Sequence, residues 1–424
     1  MRVKNLMQYL DKAHSVYHSV ALLRQQLETA GYRQLQEADR WELAPGDKCY
    51  LVRGGTALIA FRIPEKPTGF MISASHSDRP CFKLKENGEL SGPYTRLAVE
   101  RYGGMIIAPW LDRPLSVAGR VLVETENGIE SRLVDIDRDL MLIPNVAIHM
   151  NRTVNEACKW DLTRDVCPLL GGKAAAGKLE KLLKKQAGGE ILGRDLFTYV
   201  RQKAILWGVD KEYLSAPALD DLACAWACTQ GFLNAKESSA IAVLAVLDNE
   251  EVGSASNQGA DSTLLSQVLE RICRALQLEQ ARLLAGSMLV SADNAHGLHP
   301  NHPELADPQN APLVGGGIAV KFNSTLRYTT DGLSASLFRK VCKKAGVATQ
   351  TYYNRADMPG GSTLGCISIS HVSVPSVDIG IPQLAMHSSY ETCAARDAED
   401  LEKVMTAFYG SAIERDAKGD YRLV

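Results

Sequence analysis

Residues 239–251 read Ser-Ala-Ile-Ala-Val-Leu-Ala-Val-Leu-Asp-Asn-Glu-Glu, an unbroken apolar run that ends in acidic residues. An apolar run of strand length without alternation is typical of a strand buried on both faces of a mostly parallel sheet. Helical patterns over about 221–233, 262–276 and 331–345 alternate with strand-like segments such as 69–75 and 287–292. This alternation predicts a three-layer α/β domain with a mixed, mostly parallel sheet.

The segment from about 80 to 206 has a different pattern, in which short β-like stretches alternate with turns such as Asn127-Gly128. We interpret 80–206 as an inserted β-rich domain that interrupts a discontinuous α/β domain made of 1–79 and 207–424. At the N-terminus, apolar residues recur at three- and four-residue steps up to Gly31, which predicts one helix over the first thirty residues.

Composition narrows the classes of function. The 424 residues carry 47 basic and 49 acidic side chains, and 46% of residues are hydrophobic. Such a balance gives no electrostatic footprint for nucleic acid. The longest apolar run, Ala240–Leu247, is far shorter than the ~20 residues of a membrane helix. The first residues lack the apolar core of a signal peptide. We therefore expect a soluble, cytoplasmic protein without nucleic-acid or membrane partners.

Ligands of open α/β sheets bind beyond the carboxyl ends of the strands, and polar residues collect at those positions here. The two imidazoles and three carboxylates concerned are His76, Asp220, Glu251, Asp293 and His387. This set suits zinc or related metals, but it is too large for one catalytic ion. It suits two ions about 3.5–4 Å apart with a bridging carboxylate.

Two further carboxylates have predicted roles beside this set. Asp78 lies two residues past His76 and would fix the tautomer of that imidazole. Glu250 precedes a ligand and would take the proton of a water as general base. Taken singly, a histidine at a strand end is more often structural, a Glu-Glu pair solvated, and Asp-Asp before a helix an N-cap. The coincidence of five such residues at one sheet edge favours the metal interpretation.

Other chemistries fit less well. Gly360-Gly-Ser-Thr-Leu-Gly365 misses the Gly-x-Ser-x-Gly pattern of a serine hydrolase by one residue. Neither a phosphate-binding Gly-x-x-x-x-Gly-Lys-Ser/Thr nor a Gly-x-Gly-x-x-Gly after a strand is present.

Five motifs in order resemble the M18 family of metallo-aminopeptidases, the aspartyl aminopeptidase family. They are Ala-Ser-His-Ser-Asp at 74–78, Ala-Leu-Asp-Asp-Leu at 218–222, Leu-Asp-Asn-Glu-Glu-Val-Gly-Ser at 247–254, Ser-Ala-Asp-Asn-Ala-His-Gly-Leu-His-Pro-Asn at 291–301 and Gln-Leu-Ala-Met-His-Ser-Ser at 383–389. The resemblance implies a zinc-peptidase-like catalytic domain and hydrolysis of the N-terminal residue of peptides. It implies two divalent ions, zinc with cobalt or manganese as alternatives, bridged by Asp220. His76 and Asp293 would complete one site, Glu251 and His387 the other, with Glu250 as base.

The resemblance also implies an assembly and a specificity. The domain 80–206 would be a dimerisation domain of a homo-oligomer, typically a tetrahedral dodecamer built from dimers. His149, in Ile143-Pro-Asn-Val-Ala-Ile-His149, would reach the active site of a neighbouring subunit. Lys321 would face acidic N-terminal side chains and favour Asp or Glu. Substrate contacts are also assigned to His299, Gly361 and Ser362.

The chain departs from the family pattern at several positions. Arg79 stands where the family has serine, Ser77 where it has threonine, and Cys366 where many relatives have proline. The segment Ala13-His-Ser-Val-Tyr-His18 lacks the prolines of the family. Two alternatives stay open: a broad or leucyl-type two-metal aminopeptidase of the M42 or M28 kind, and a non-catalytic, metal-stabilised assembly protein.

Overall fold

The structure is a computed structural model that describes residues 2–358, 360–361, 363–416 and 418–424. Its α-helices are α1 (Arg2–Leu10), α2 (Val16–Thr29), α3 (Lys178–Ala187), α4 (Leu219–Asn234), α5 (Leu264–Ala275), α6 (Gln280–Ala285), α7 (Gly332–Ala345), α8 (Leu364–His371) and α9 (Ala395–Tyr409). Within the described part of the chain, every helix is too short or too polar to cross a membrane.

The strands are β1 (Arg33–Gln34), β2 (Lys48–Arg53), β3 (Ala57–Arg62), β4 (Gly69–His76), β5 (Cys81–Leu90), β6 (Tyr94–Tyr102), β7 (Leu115–Thr125), β8 (Gly128–Asp135), β9 (Leu169–Gly172), β10 (Ile191–Val200), β11 (Ile205–Trp207), β12 (Tyr213–Ala216), β13 (Ala240–Leu247), β14 (Met288–Ala292), β15 (Ala295–His296), β16 (Ile318–Phe322), β17 (Thr349–Tyr353), β18 (Ser376–Gly380), β19 (Pro382–Leu384), β20 (Glu391–Ala394), β21 (Ile413–Arg415) and β22 (Tyr421–Leu423).

The main sheet has the strand order β1-β2-β3-β13-β4-β14-β18-β16-β17 among the described residues. The apolar run at 240–247 is β13, whose eight residues are all buried. It pairs parallel to β4 with Leu247 opposite His76, and β14 pairs parallel to β4 on the other side. The carboxyl ends of these three strands therefore meet at one edge, as predicted.

Helices cover both faces of this sheet, and β13 contributes to both cores. Leu244 and Val246 lie in the core shared with α1, α2, α4, α7 and α9. Val243 and Ala245 lie in the core shared with α5, α6 and α8. Because successive side chains of a strand point to opposite faces, one apolar run fills two cores. The three-layer α/β class predicted from the sequence is confirmed.

Between β4 and β11 the chain forms a second sheet, of order β8-β7-β10-β5-β6-β9, from Cys81 to Val200. Its strand pairings are antiparallel. It has its own core, in which Phe82, Val121 and Leu196 are buried. The β-rich character predicted for the insert is thus present, and the domain boundaries 80 and 206 stay a prediction.

The N-terminal segment differs from the prediction of one helix. The chain forms α1 and α2, separated by residues 11–15. Ser15 caps α2 by accepting a hydrogen bond from the His18 N–H. His14 turns towards the insert, where its Nδ1 lies 2.6 Å from Asp135 Oδ2 and its ring stacks on Tyr199. The helix breaks because capping and these distant contacts outweigh the local apolar period.

Candidate metal centre

The five residues predicted as metal ligands lie around one point of the structure. His76 ends β4, Asp293 follows β14, and Glu251 lies in a short 3₁₀ turn after β13. Asp220 lies at the start of α4, with extended rather than helical φ/ψ. His387 follows β19. Five separate segments of the chain therefore supply the group.

Asp220 lies between the two imidazoles and presents a different oxygen to each. Its Oδ1 is 3.5 Å from His76 Nε2, and its Oδ2 is 3.5 Å from His387 Nε2. On the first side, His76 Nε2 is 3.9 Å from Asp293 Oδ1. On the second side, His387 Nε2 is 3.3 Å from Glu251 Oε2. This arrangement matches two adjacent cation positions with one shared carboxylate.

The donors also pass a direct test of fit to a metal. Asp220 Oδ1 and Glu251 Oε1 are buried and have no hydrogen-bond partner among the described residues. Buried carboxylate oxygens normally have partners. Three sets of donor atoms each lie within 4.8 Å of one another: His76 with Asp220, Asp221 and Asp293; His76 with Glu250 and Glu251; and Asp220 with Glu251 and His387. Imidazole and carboxylate donors at this separation suit zinc.

The pKa shifts of the crowded carboxylates also support a metal site. Burial raises the pKa of Glu251 well above its usual range and, opposed by the nearby cation Lys321, also raises the pKa of Asp293. Burial likewise raises the pKa of Glu250 to about 8, although His76 opposes the shift. For Asp220, contacts with His387 and His76 outweigh burial and hold its pKa below the usual range. Carboxylates packed this closely repel one another unless cations compensate them.

The backbone is strained where it delivers these side chains. Ala218, Asn249, Ala385 and His387 have φ between 57° and 66°, in the left-handed region. Each such residue costs about 1–3 kcal/mol, and such residues cluster at functional sites. The peptide bond between Asp220 and Asp221 is cis.

Asp78 orients three residues of the centre. Its Oδ1 is 3.3 Å from His76 Nδ1. Its carboxylate accepts the N–H groups of Glu250 and Glu251, each at 3.2 Å, and the hydroxyl of Tyr102 at 2.7 Å. Asp78 therefore couples the first imidazole to the Glu-Glu turn. Its carboxylate's role in fixing the tautomer of His76 stays a prediction, because His76 Nδ1 also lies 3.2 Å from the Asp78 carbonyl oxygen.

Sequence reasoning missed Glu391. Its carboxylate accepts the N–H of Asp220 at 3.0 Å and the N–H of His387 at 2.7 Å, so it holds the main chain of two ligands. Asp221 was also left without a role, yet its Oδ2 accepts the His76 N–H at 3.1 Å. The available signals were the position of Glu391 four residues after a ligand and the Asp-Asp pair itself.

Two of the predicted substrate residues have environments of their own. Lys321, on β16, is fully buried, and its Nζ lies 2.8 Å from the Asp293 carbonyl and 3.3 Å from Asp293 Oδ2. Its ammonium thus also holds a candidate ligand. His299 is exposed and accepts a hydrogen bond from the Asn301 N–H at 3.2 Å.

Of the remaining predicted residues, His149 and Gly361 are exposed. His149 is exposed on the loop after β8 and belongs to none of the possible metal groups. Gly361 is exposed in the segment before α8. Ser362 lies outside the described residues.

The chain is similar to known proteins along nearly its whole length. The family model described as aminopeptidase I zinc metalloprotease (M18) matches residues 9–409. A protein of Clostridium novyi named probable M18 family aminopeptidase 2 is 40% identical over 423 residues, which cover 95% of this chain and 97% of the relative.

Solved structures are also similar to this chain over nearly its whole length. A structure of the Ape4 and Nbr1 complex is 32% identical with a TM-score of 0.93, over 96% of this chain and 85% of that chain. The S. cerevisiae mApe1 dodecamer is 26% identical with a TM-score of 0.84, over 96% of each chain.

Proposed function

Since this chain belongs to the M18 family of zinc metalloproteases and is an aminopeptidase, we propose that it removes the N-terminal residue of peptides with two divalent metal ions, most simply zinc. The observation that carries the proposal is the position of Asp220, whose two oxygens face the two imidazoles at equal distance. His76 and Asp293 would hold one ion with Asp220. Glu251 and His387 would hold the other.

The proposed reaction divides between the ions and the side chains. Divalent metal ions supply Lewis acidity, which polarises a carbonyl and lowers the pKa of a water. Glu250 accepts the proton of the attacking water at its carboxylate and passes it to the leaving amine. The N–H contact from Glu250 to Asp78 fixes where that turn lies. Asp78 thus acts by positioning His76 and Glu250.

The test is a Glu250→Gln variant, assayed with aminoacyl p-nitroanilides after zinc loading. We expect it to keep its metal content and thermal midpoint and to lose at least about 100-fold in kcat, the usual contribution of a general base. Glu237→Gln is the matched control, because Glu237 is exposed just before the other end of β13. Near-normal turnover of Glu250→Gln would remove Glu250 from the base role.

We further propose a preference for acidic N-terminal residues. The support is that Lys321 contacts a candidate ligand, Asp293, and so places a positive charge beside the site. The wild type should cleave Asp- and Glu-p-nitroanilides faster than Leu- or Lys-p-nitroanilides. Lys321→Met should lower the rate of cleavage of the Asp and Glu substrates more than that of the Leu and Lys substrates. Lys340→Met, at an exposed lysine, should leave both rates unchanged.

The same panel decides between the alternatives. Preference of the wild type for Leu or Lys would contradict the acidic assignment and favour a broad or leucyl-type aminopeptidase. An equal loss on all substrates in Lys321→Met would reduce Lys321 to a support for Asp293. Absence of any cleavage by zinc-loaded protein would contradict the proposed hydrolysis of these substrates.

The inserted domain, 80–206, is proposed to form dimers, and these to assemble into a tetrahedral dodecamer with His149 acting in a neighbouring subunit. Three apolar side chains on the same loop support this, because Val146, Ile148 and Met150 are 53%, 47% and 79% exposed. Exposed apolar clusters mark interfaces.

Subunit mixing tests this assignment. His149→Ala and Glu250→Gln should each be inactive alone. In mixed dimers, the His149→Ala subunit keeps its own Glu250 and receives His149 from its partner. Random mixing should therefore restore about a quarter of wild-type activity, given two-fold symmetric dimers. No recovery in mixtures shown by mass to be assembled would exclude a role for His149 in the neighbouring site.

A further inference from the structure

A cavity of about 410 Å³ adjoins the metal centre, between the α1–α2 junction, the end of β10 and the segment before α4. Asp220 and Glu391 contribute to its wall, as do Arg79 and Trp110. Its volume lies in the range of small-molecule sites in proteins, about 300–1,000 Å³. The proposed peptidase mechanism does not use it.

Two buried nitrogen donors in this wall lack acceptors. The Nη1 atom of Arg79 is buried and has no hydrogen-bond partner among the described residues. The same holds for Nε1 of Trp110, a side chain that is 4% exposed. A buried donor without an acceptor destabilises the fold, because it has lost its hydrogen bonds to water without replacement. A ligand whose polar atoms are all hydrogen-bond acceptors would satisfy both donors.

The acidic side chains in the wall are already committed elsewhere. Asp11 accepts the main-chain N–H of residue 204 at 2.8 Å. Asp137 is paired with Arg201. Glu391 accepts the two ligand N–H groups described above. Lys12 and Lys203, which also line the cavity, are exposed. Asp220, the fourth acidic side chain of the wall, faces the two imidazoles of the metal centre. None of these carboxylates is a hydrogen-bond partner of Arg79 Nη1, although the charges of Asp78 and Glu391 act on the guanidinium.

We propose that this cavity binds an organic carboxylate of the size of an amino acid or a small dicarboxylic acid. The planar fork of a guanidinium matches a carboxylate with two parallel hydrogen bonds, and the Trp110 N–H supplies a further donor.

Calorimetric titration of the zinc-loaded enzyme with succinate tests the assignment. The wild type binds, and in Arg79→Met the Kd rises about 10- to 100-fold, as expected for lost hydrogen bonds to a charged group. Arg282→Met, which removes an exposed arginine of α6, leaves Kd unchanged. Trp110→Phe raises Kd by a smaller factor and carries the test if Arg79→Met does not fold.

Thermal unfolding provides a second test, because the effect of Arg79→Met on the unfolding temperature should change sign when the ligand is added. In carboxylate-free buffer, Arg79→Met unfolds at a higher temperature than the wild type, because it loses a buried donor, Nη1, that has no partner among the described residues. In succinate the order reverses, because only the wild type is stabilised by the ligand.

Three results would overturn the proposal. The first is that titration of the wild type with succinate gives no heat of binding. The second is that Arg79→Met binds succinate with the same affinity as the wild type. The third is that succinate inhibits purely in competition with substrate and equally in Arg79→Met, which would mean that succinate binds at the metal ions. Equal affinity for inorganic phosphate and succinate through Arg79 would overturn the restriction to carboxylates.

Discussion

Glu391 holds the main chain of two candidate ligands, so replacing it with glutamine should weaken metal binding. The glutamine keeps the shape but puts an amide NH2 where an acceptor is needed, against the N–H of Asp220 or of His387. Hydrogen bonds to charged groups contribute about 1.5–3 kcal/mol each. Loss of such outer contacts typically lowers metal affinity or activity about 10- to 100-fold. We expect a loss of zinc affinity in that range.

Competition for zinc against a chelator dye measures this loss. The dye should strip zinc from Glu391→Gln at lower concentrations than from the wild type, and excess zinc should restore most activity. Glu402→Gln is the matched control, because Glu402 is 4% exposed but contacts Arg2 and Asn234 away from the site. Glu391→Gln with wild-type zinc affinity and kcat would refute the reasoning, since its two hydrogen bonds would then not position the ligands.

Two further predictions concern stability. Burial lowers the pKa of His18 from 6.5 to about 4, although the negative charge of Asp135 opposes the shift. The folded state therefore keeps His18 neutral, and the associated stability is fully present above pH 6.5 and is lost as the pH falls towards 4. When the pH is lowered from 7 to 5, the free energy of unfolding should fall by about 2 kcal/mol more in the wild type than in His18→Gln. Chemical denaturation at each pH measures this, and the same dependence of the free energy of unfolding on pH in both proteins would contradict the prediction. Gly231 lies where α4 meets α9, and a Cβ there would be 2.5 Å from Met405 Cβ, so Gly231→Ala should cost about 1–3 kcal/mol. Gly332→Ala, with open space around its Cβ, should be neutral or slightly stabilising, and equal thermal midpoints for the two variants would exclude close helix packing as the cause.

The sequence predicted the parts of the centre that depend on strand ends. His76, Asp293 and Glu251 follow buried strands, and the carboxyl ends of parallel strands meet at one edge whatever the loops do. His387 was identified from the end of the last strand region, and Asp220 from the acidic pair that precedes a helix. That the donor atoms approach within 4.8 Å in overlapping groups is a feature of the tertiary structure alone.

The parts that the sequence could not predict depend on loop paths and register. Glu391 acts through main-chain N–H groups, which leave no pattern in side chains. The contact of Lys321 with Asp293 follows from the antiparallel pairing of β16 with β18, a register that an apolar run does not specify. The break between α1 and α2 depends on Asp135 and Tyr199, more than a hundred residues away.

The most direct test of the central claim is the zinc content of the purified protein. Protein stripped by chelation should be titrated with zinc, freed of excess metal and analysed by elemental emission against protein concentration. The arrangement around Asp220 predicts about two ions per chain, and loss of both in Asp220→Asn. A plateau at one ion per chain, or two ions retained in Asp220→Asn, would contradict a pair of metal ions that share this carboxylate.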